Sequence, residues 1–306
     1  MIKLLTTKPF AINPMLLKYG ITLVYSEFRK QPKKERIKTF ISDFYKIQPD
    51  LFWFLKDEWL KPWLLARLKK VSPKTKFIMW YGDQRGKVPD LIMNRKNYID
   101  MLFVNNEDPK QVKMYNKIGI HHVKPFYSFY HQTLLNSSLV PKMDVVFGGN
   151  NFNPKKFPLG KLRLATVLAI YKNYNMKIYG NGWPIPAEKI VTSRDSYNKV
   201  LHNAKITLGI NHYNIIKYYD RRLLDCLSTG RLHLTYYIPG IENDFKNHKH
   251  LVWFKTIPQC IRLIKYYLNN AAKRERIGKA GLAKLLQDHS SEARAKKFVD
   301  NISILL

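Results

Sequence analysis

Two stretches constrain the fold more than any others: Leu51-Phe-Trp-Phe-Leu55 after Asp50, and Phe77-Ile-Met-Trp-Tyr81 after Lys76. Each is an apolar run of strand length with no side left for water. Such runs suit strands buried on both faces, as in a parallel sheet covered by helices. The residues between them, Trp59–Val71, read as a helix, which is what a parallel crossover requires. The rhythm recurs on either side. Ile2–Thr6 and Ile21–Tyr25 read as strands, and Lys33–Tyr45 carries Ile37, Phe40, Ile41 and Phe44 at helical spacing. Tyr98–Val104 reads as a fifth strand, Lys110–Ile118 as a helix and His121–Pro125 as a short strand. After a polar stretch, Tyr127–Lys142, the pattern restarts at Met143–Phe147 and runs on through Met176–Tyr179, Ala204–Ile210, Leu232–Tyr237 and Leu251–Phe254, with helices between and three more at the end. The chain is therefore expected to be α/β, with two Rossmann-like α/β/α domains at 1–140 and 141–306, the last helix able to pack back on the first domain.

Charge narrows the function. The chain has 306 residues and carries 53 Lys+Arg against 22 Asp+Glu, a formal net charge of +31. The excess is +14 over residues 1–150 (26 basic, 12 acidic) and +17 over residues 151–306 (27 basic, 10 acidic), so no basic tail accounts for it. A folded body so charged attracts a polyanion: nucleic acid, an anionic membrane surface or an anionic glycan. Lysine inflation by A/T-biased coding is the plainer alternative. No run approaches the ~20 apolar residues of a membrane span, and the first eight residues do not read as a signal peptide. Cys226 and Cys260 are the only cysteines, which argues against a disulfide framework and fits a reducing, cytoplasmic compartment. No obligate protein partner is inferred.

The stretch Lys217-Tyr-Tyr-Asp-Arg-Arg-Leu-Leu-Asp-Cys-Leu-Ser-Thr-Gly230 carries the chemistry. Arg222 and Asp225 lie three residues apart, on one face near a helix start, and Gly230 ends that helix. A cation, a carboxylate and free backbone N–H groups suit a ligand with phosphates and a sugar diol. A surface ion pair is the other reading of the same spacing.

In order along the chain, Val145-Val-Phe-Gly-Gly149, Ile178-Tyr-Gly-Asn-Gly-Trp183, Tyr197–Ala204 with Ile206–Asn211, Arg222-Leu-Leu-Asp225 with Gly230, and Ile238-Pro-Gly-Ile-Glu-Asn-Asp-Phe245 match one pattern. Tyr266–Leu268 through Arg274, Ile277, Gly281 and His289 complete it. Residues 143–306 thereby resemble the C-terminal domain of GT-B glycosyltransferases, in particular the spore-maturation (CgeB-like) family. The family has Glu where this chain has Asp225. Residues 1–142 share only the strand–helix rhythm.

The resemblance implies a GT-B fold, with a cleft between two Rossmann-like domains and a nucleotide sugar held mostly by the second. Asp225 would accept from the ribose diol and Arg222 would clamp the diphosphate. Gly148 and Gly149 would let backbone approach the phosphates, with Lys155, Lys156 and Arg163 adding charge. Tyr179, Gly180 and Trp183 would meet the base, His212 the phosphate or sugar, and Glu242 the sugar. Ordinary turns, a solvated basic face and a structural histidine are the corresponding plain readings. Asp83, ending an apolar strand between Gly82 and Arg85, is the candidate general base for a hydroxyl acceptor; an Asp paired with Arg85 in a turn is its alternative.

No Asp-x-Asp occurs in the chain and His121-His122 lacks metal-site spacing, so no metal site is expected, although Mg²⁺ could assist. The expected activity is transfer of a sugar, glucose first among them, from a UDP-sugar to a hydroxyl. The charge favours a hydroxylated base in DNA, since bacteriophage DNA glucosyltransferases share the fold. Arg85, Lys87, Lys124 and Tyr127 are the candidate nucleic-acid contacts, with Phe126, Phe129 and Tyr130 as wedges for an extruded base. The alternatives are a transferase acting on a surface polymer or protein at a membrane, and an idle GT-B fold that binds nucleic acid.

Overall fold

The computed structural model describes every residue except 8–9, 84–85, 129–139, 154, 156, 190 and 192, and the side chain of residue 194. The chain divides into two compact units. Unit 1 comprises Met1–Tyr127 and His289–Leu306; unit 2 comprises Ser128–Asp288.

Unit 1 holds six strands: β1 (Ile2–Thr6), β2 (Ile21–Val24), β3 (Leu51–Phe54), β4 (Lys76–Tyr81), β5 (Met101–Val104) and β6 (Val123–Pro125). They form one sheet in the order β2-β1-β3-β4-β5-β6, and every pairing is parallel. Helices α1 (Asn13–Leu16), α2 (Arg36–Ile47), α3 (Pro62–Val71), α4 (Asp90–Met93) and α5 (Pro109–Asn116) lie between strands. The expected fifth strand begins three residues late, because Lys96–Tyr98 turns as a 3₁₀ helix. Helix α3 likewise starts at Pro62 rather than Trp59; a proline has no N–H to lose in a first turn.

The apolar runs behave as their composition demands. All four residues of β3 are buried. Phe52 and Phe54 pack with Phe40, Phe44 and Phe77 on one face, in edge-on contacts such as Phe44–Phe52 at 5.3 Å. Trp53 points the other way, as alternation along a strand requires. It stacks on Phe10 at 3.9 Å and on Phe298 at 4.7 Å. Phe298 belongs to α11, described below, so the last helix closes the second face of the unit 1 sheet.

Phe126 joins that layer against Phe103 and Phe298 and is 1% exposed. Tyr127 is also buried, its hydroxyl donating to Glu107 Oε1 at 3.0 Å. Neither ring is presented as a wedge; both fill the interior, because β6 ends against the layer that α11 covers. Phe129 and Tyr130 lie outside the described residues.

Unit 2 holds β7 (Met143–Gly148), β8 (Met176–Tyr179), β9 (Ala204–Gly209), β10 (Leu232–Tyr236) and β11 (Val252–Phe254). These are again all parallel, in the order β11-β10-β9-β7-β8. Helices α6 (Gly160–Tyr171), α7 (Arg194–His202), α8 (Arg221–Ser228), α9 (Ile257–Asn269) and α10 (Ala271–His289) accompany them, and α11 (Ser291–Ile302) ends the chain. Val145, Phe147, Ile206, Leu208, Leu232, Leu234 and Val252 form the core under α6 and α9. No helix among the described residues is long and apolar enough to cross a membrane.

Phe298→Ala should remove the aromatic layer over Trp53. Large-to-small aromatic changes in cores cost about 3–5 kcal/mol. The expected outcome is a loss of that size in the urea transition reported by the unit 1 tryptophans. A change below about 1 kcal/mol would mean that α11 is not part of this core.

Candidate active site

In unit 2 the strand order reverses between β7 and β9. Loops leaving adjacent strands in opposite directions open a crevice at the carboxyl ends, where open parallel sheets bind ligands. The loop after β7 is built for close approach. Gly149 has φ +155° and Gly180 φ +152°, values open to glycine. The Gly149 N–H donates to the Tyr179 carbonyl at 2.7 Å, and its carbonyl accepts from Trp183 Nε1 at 2.9 Å. A Cβ on Gly180 would strike the Gly149 carbonyl, and one on Gly148 the Tyr197 hydroxyl. Asn150, Asn151 and Asn181 complete the stitching: Asn181 N–H donates to Asn150 Oδ1 at 2.8 Å, and Asn151 N–H to the Asn181 carbonyl at 2.9 Å.

Two guanidinium groups converge on this loop. Arg163, in the first turns of α6, is 1% exposed. It donates to the carbonyls of Asn150 at 2.8 Å and Ile210 at 3.1 Å, and its Nη1 lies 3.1 Å from His212 Nε2. Arg222, near the start of α8, donates to the same Ile210 carbonyl at 3.2 Å and pairs with Asp220 Oδ2 at 3.0 Å. Both stand over the Phe147 ring, at 4.8 and 5.3 Å, in cation–π geometry. A Cβ on Gly149 would collide with Arg163 and touch Arg222.

The electrostatics are lopsided. Burial pushes the Arg163 guanidinium well below its ordinary range, and Arg222 beside it adds to the shift. Burial is the largest single influence on Arg222 and would lower it, but the Asp220 carboxylate with Tyr197, Cys226 and Tyr218 together outweigh it and the group is raised. Arg163 has only neutral acceptors, and its Nε has no hydrogen-bond partner among the described residues. A buried and a half-buried cation thus stand together with one carboxylate, paired to Arg222, a local surplus that an anion would offset. His212 is forced to stay neutral. Burial first, then Arg163 and Arg222, lower it to about 3. Its Nε2 then accepts from Arg163, which leaves Nδ1–H as a donor without a partner among the described residues.

Helix α8 does not carry the Arg222–Asp225 surface ion pair that is the plain reading of their spacing. Asp220 caps it, accepting from Leu223 N–H at 3.0 Å, and holds Arg222. Asp225 is 2% exposed and accepts from Arg221 Nε at 2.9 Å, so the ion pair is i,i+4 with Arg221 rather than i,i+3 with Arg222. Sequence reasoning overlooked Asp220. Its signal was an Asp directly before the first apolar-periodic residues of a helix, an N-cap signature. Phe147 was overlooked as well, since nothing local marks a core ring as a seat for two cations.

Gly148, Gly149, Arg163, Gly180, Trp183, His212 and Arg222 are therefore linked through one crevice. Tyr179 joins by its carbonyl, while its side chain packs against the cluster of Met143, Val146, Leu201, Ala204 and Cys226. Glu242 lies outside this cluster, exposed beyond β10, where it accepts from the Tyr237 hydroxyl at 3.0 Å. Lys155 is exposed; Lys156 lies outside the described residues. Among the described residues no group of three or more His, Cys, Asp or Glu could hold a metal ion.

In unit 1, Asp83 follows β4 and is half exposed, in an ion pair with Lys56, whose ammonium also sits over Tyr81. Arg85, its expected turn partner, lies outside the described residues. Lys87 is exposed and Lys124 half-buried on the edge strand β6. The unit 1 strand order reverses between β1 and β3, not beside β4. The carboxylate at that reversal is Asp57, 8% exposed, which accepts from Thr7 Oγ1 at 2.6 Å and Leu55 N–H at 3.2 Å.

Residues 162–300 match the family described as Glycosyl transferase-like. No curated protein matches the chain. Solved structures do. HepE of Anabaena, in complex with UDP and glucose, is similar at TM-score 0.60 and 10% identity, over 99% of this chain and 100% of that one. The DNA modifying enzyme β-glucosyltransferase is similar at TM-score 0.63 and 10% identity, over 98% and 99%. Sucrose-phosphate synthase of Thermosynechococcus elongatus is similar at 0.59 and 11%, over 98% of each. The fold is GT-B. Within it, the family match begins at Leu162, one residue before Arg163, and includes His212, Arg222 and Asp225.

Three histidines of this GT-B unit are held neutral, and this sets a pH dependence. His202 is lowered to about 3 by burial and Arg231, His212 to about 3, and His233 to about 4, chiefly by burial. Unfolded, each would titrate near 6.5. As pH falls, the unfolded chain binds protons first. Stability is therefore fully present above pH 6.5 and lost toward pH 3–4, by up to about 1.4 kcal/mol per pH unit for each histidine. The urea midpoint of unit 2 should drop from pH 7 to pH 5, and His202→Gln should lessen the drop. An unchanged midpoint between those values would contradict the buried neutral histidines.

Proposed function

We propose that the chain is a glycosyltransferase that takes a sugar, glucose first among candidates, from a UDP-sugar to a hydroxyl on a polyanionic acceptor. The Arg163–Arg222 pair at the β7/β9 reversal, the first buried and the second half-buried, carries this reading. Two guanidinium forks with one carboxylate, held by Arg222, match a diphosphate, whose oxygens they meet in pairs. Charge held there before reaction stabilises the diphosphate as it leaves, which is where preorganised electrostatics count most. His212 Nδ1–H adds a neutral donor. Asp225, oriented by Arg221, is the acceptor for the ribose hydroxyls, and Trp183 with Tyr179 and Gly180 is the edge on which the base rests. Glu242 contacts the sugar. No metal is needed for this assignment, and Mg²⁺ could assist. The order of matching segments also supports the CgeB-like branch for residues 143–306.

The acceptor reading rests on charge. A net +31 spread through both units favours duplex DNA with a hydroxylated base, and the likeness to a DNA modifying enzyme supports it. Asp83 is the general base in this scheme, with Lys56 as the counter-ion it must exchange. Arg85, Lys87 and Lys124 supply backbone contacts. A surface polymer at an anionic membrane is the second reading, favoured by the same charge.

Arg163→Met and Arg222→Met should each weaken UDP binding at least tenfold in calorimetry, while Lys87→Ala leaves it unchanged. Equal affinity in all three would remove the donor site from this crevice. Radiolabelled UDP-glucose offered with hydroxymethylated duplex, plain duplex or no acceptor should label only the first. Hydrolysis without labelled DNA would turn the acceptor search to surface polymers, and no consumption would point to an idle fold.

A further inference from the structure

Unit 1 contains a cavity of about 270 Å³ lined by Glu58, Lys61, Pro62, Leu91, Asn94 and Arg95. It lies beyond the carboxyl end of β3, between the start of α3 and the end of α4. Arg95 is 2% exposed. Its Nη2 donates to the Asp57 carbonyl at 2.9 Å, whereas its Nη1 is buried with no hydrogen-bond partner among the described residues. A charged donor left so carries the full cost of its lost hydration, which an incoming acceptor would relieve.

The second contribution is independent. Helix α3 is ten residues long and begins at Pro62, on the cavity wall, with no side-chain cap. Pro62 has no N–H and the Leu64 N–H already donates to the Lys61 carbonyl at 3.0 Å, so the Trp63 N–H and the helix dipole are what favour negative charge here. Lys61 is exposed at the rim. Two carboxylates face this region. Asp57 is already engaged with Thr7 and Leu55 N–H, while Glu58 is exposed at the rim.

We infer that this cavity binds a phosphate group carried on a sugar. Arg95 and the Trp63 N–H take the phosphate oxygens, and Lys61 balances the second charge. Glu58 and Asn94 meet a neighbouring hydroxyl, with Leu91 and Pro62 against the ring. A carboxylate beside two cations is what separates a sugar phosphate from a bare anion. The assignment stands on unit 1 alone and holds whether or not unit 2 binds a nucleotide sugar.

The test uses the full chain with methyl-labelled leucine and excess UDP, so that any anion site in unit 2 is filled. The Leu91 methyl resonances are followed while inorganic phosphate, ribose 5-phosphate or a short oligothymidylate is added. A saturable Leu91 shift is expected, weakened at least tenfold in Arg95→Met and in Lys61→Ala, the latter an exposed position that keeps the fold. A shift with ribose 5-phosphate identifies a small phosphomonoester as sufficient; a shift with the oligonucleotide alone identifies a phosphodiester backbone. No Leu91 shift with any probe, or equal affinity in wild type and Lys61→Ala, would overturn the inference.

Discussion

The unit 2 site depends on one uncompensated arrangement: two guanidinium groups held under a glycine turn, with a single carboxylate that pairs with Arg222 alone. Arg163 is deeply buried, and burying an arginine without a full set of partners costs several kcal/mol. A chain selected for stability alone would replace it with a neutral side chain of similar volume. What holds it in place is visible. Phe147 supplies a ring face for both cations, Ile210 gives one carbonyl to both, and Gly149 leaves no Cβ in their way. The glycine turn, the strand order and the helix start are all fitted to that pair.

The parallel sheets make the arrangement possible. In unit 2 the carbonyl ends of β7 and β9 diverge, so loops from both can reach one point without crossing. Arg163 comes from the helix after β7 and Arg222 from the helix after β9, one from each side of the reversal. Neither arginine is near the other in sequence, and neither could reach the crevice if β8 lay between their strands. The stitching through Asn150, Asn151 and Asn181 fixes the turn that the two arginines flank.

This division explains what the sequence could and could not reveal. Apolar runs such as Leu51–Leu55 report burial directly, so both parallel sheets and most helix positions are legible from composition and spacing. The fold class needed no tertiary information, because each strand and its following helix are local. Gly149, Arg222 and His212 could be picked out because they sit at strand ends or helix starts. Their partners could not. Spacing placed Arg222 with Asp225, yet Asp220 caps the helix and, being at its mouth, reaches Arg222 first, leaving Asp225 to Arg221 one turn away. Tyr127 looked like a basic-patch aromatic because its neighbours in sequence are basic, whereas its neighbours in space are Glu107 and His289.

The carboxylates of unit 1 show the same limit from the other side. Asp83 stood out by its setting at the end of an apolar run between glycine and arginine. Asp57 did not, since Lys56-Asp-Glu-Trp59 reads as an ordinary charged loop. Strand order reverses their standing. Asp57 lies in the loop after β3, beside the reversal with β1, buried and hydrogen-bonded to Thr7, the residue after β1. Asp83 ends β4, one strand further along, where Lys56 meets its half-exposed side chain. A general base must trade hydration for position, and an exposed carboxylate paired with a lysine has given up little of either. A catalytic Asp83 therefore requires the acceptor itself to displace Lys56, so the ion pair ties activation of the base to occupancy of the site. Asp57 needs no such exchange, but its Oδ2 already accepts from the Thr7 hydroxyl and the Leu55 N–H, and its more natural task is to hold the loop that carries Lys61 and whose Asp57 carbonyl anchors Arg95.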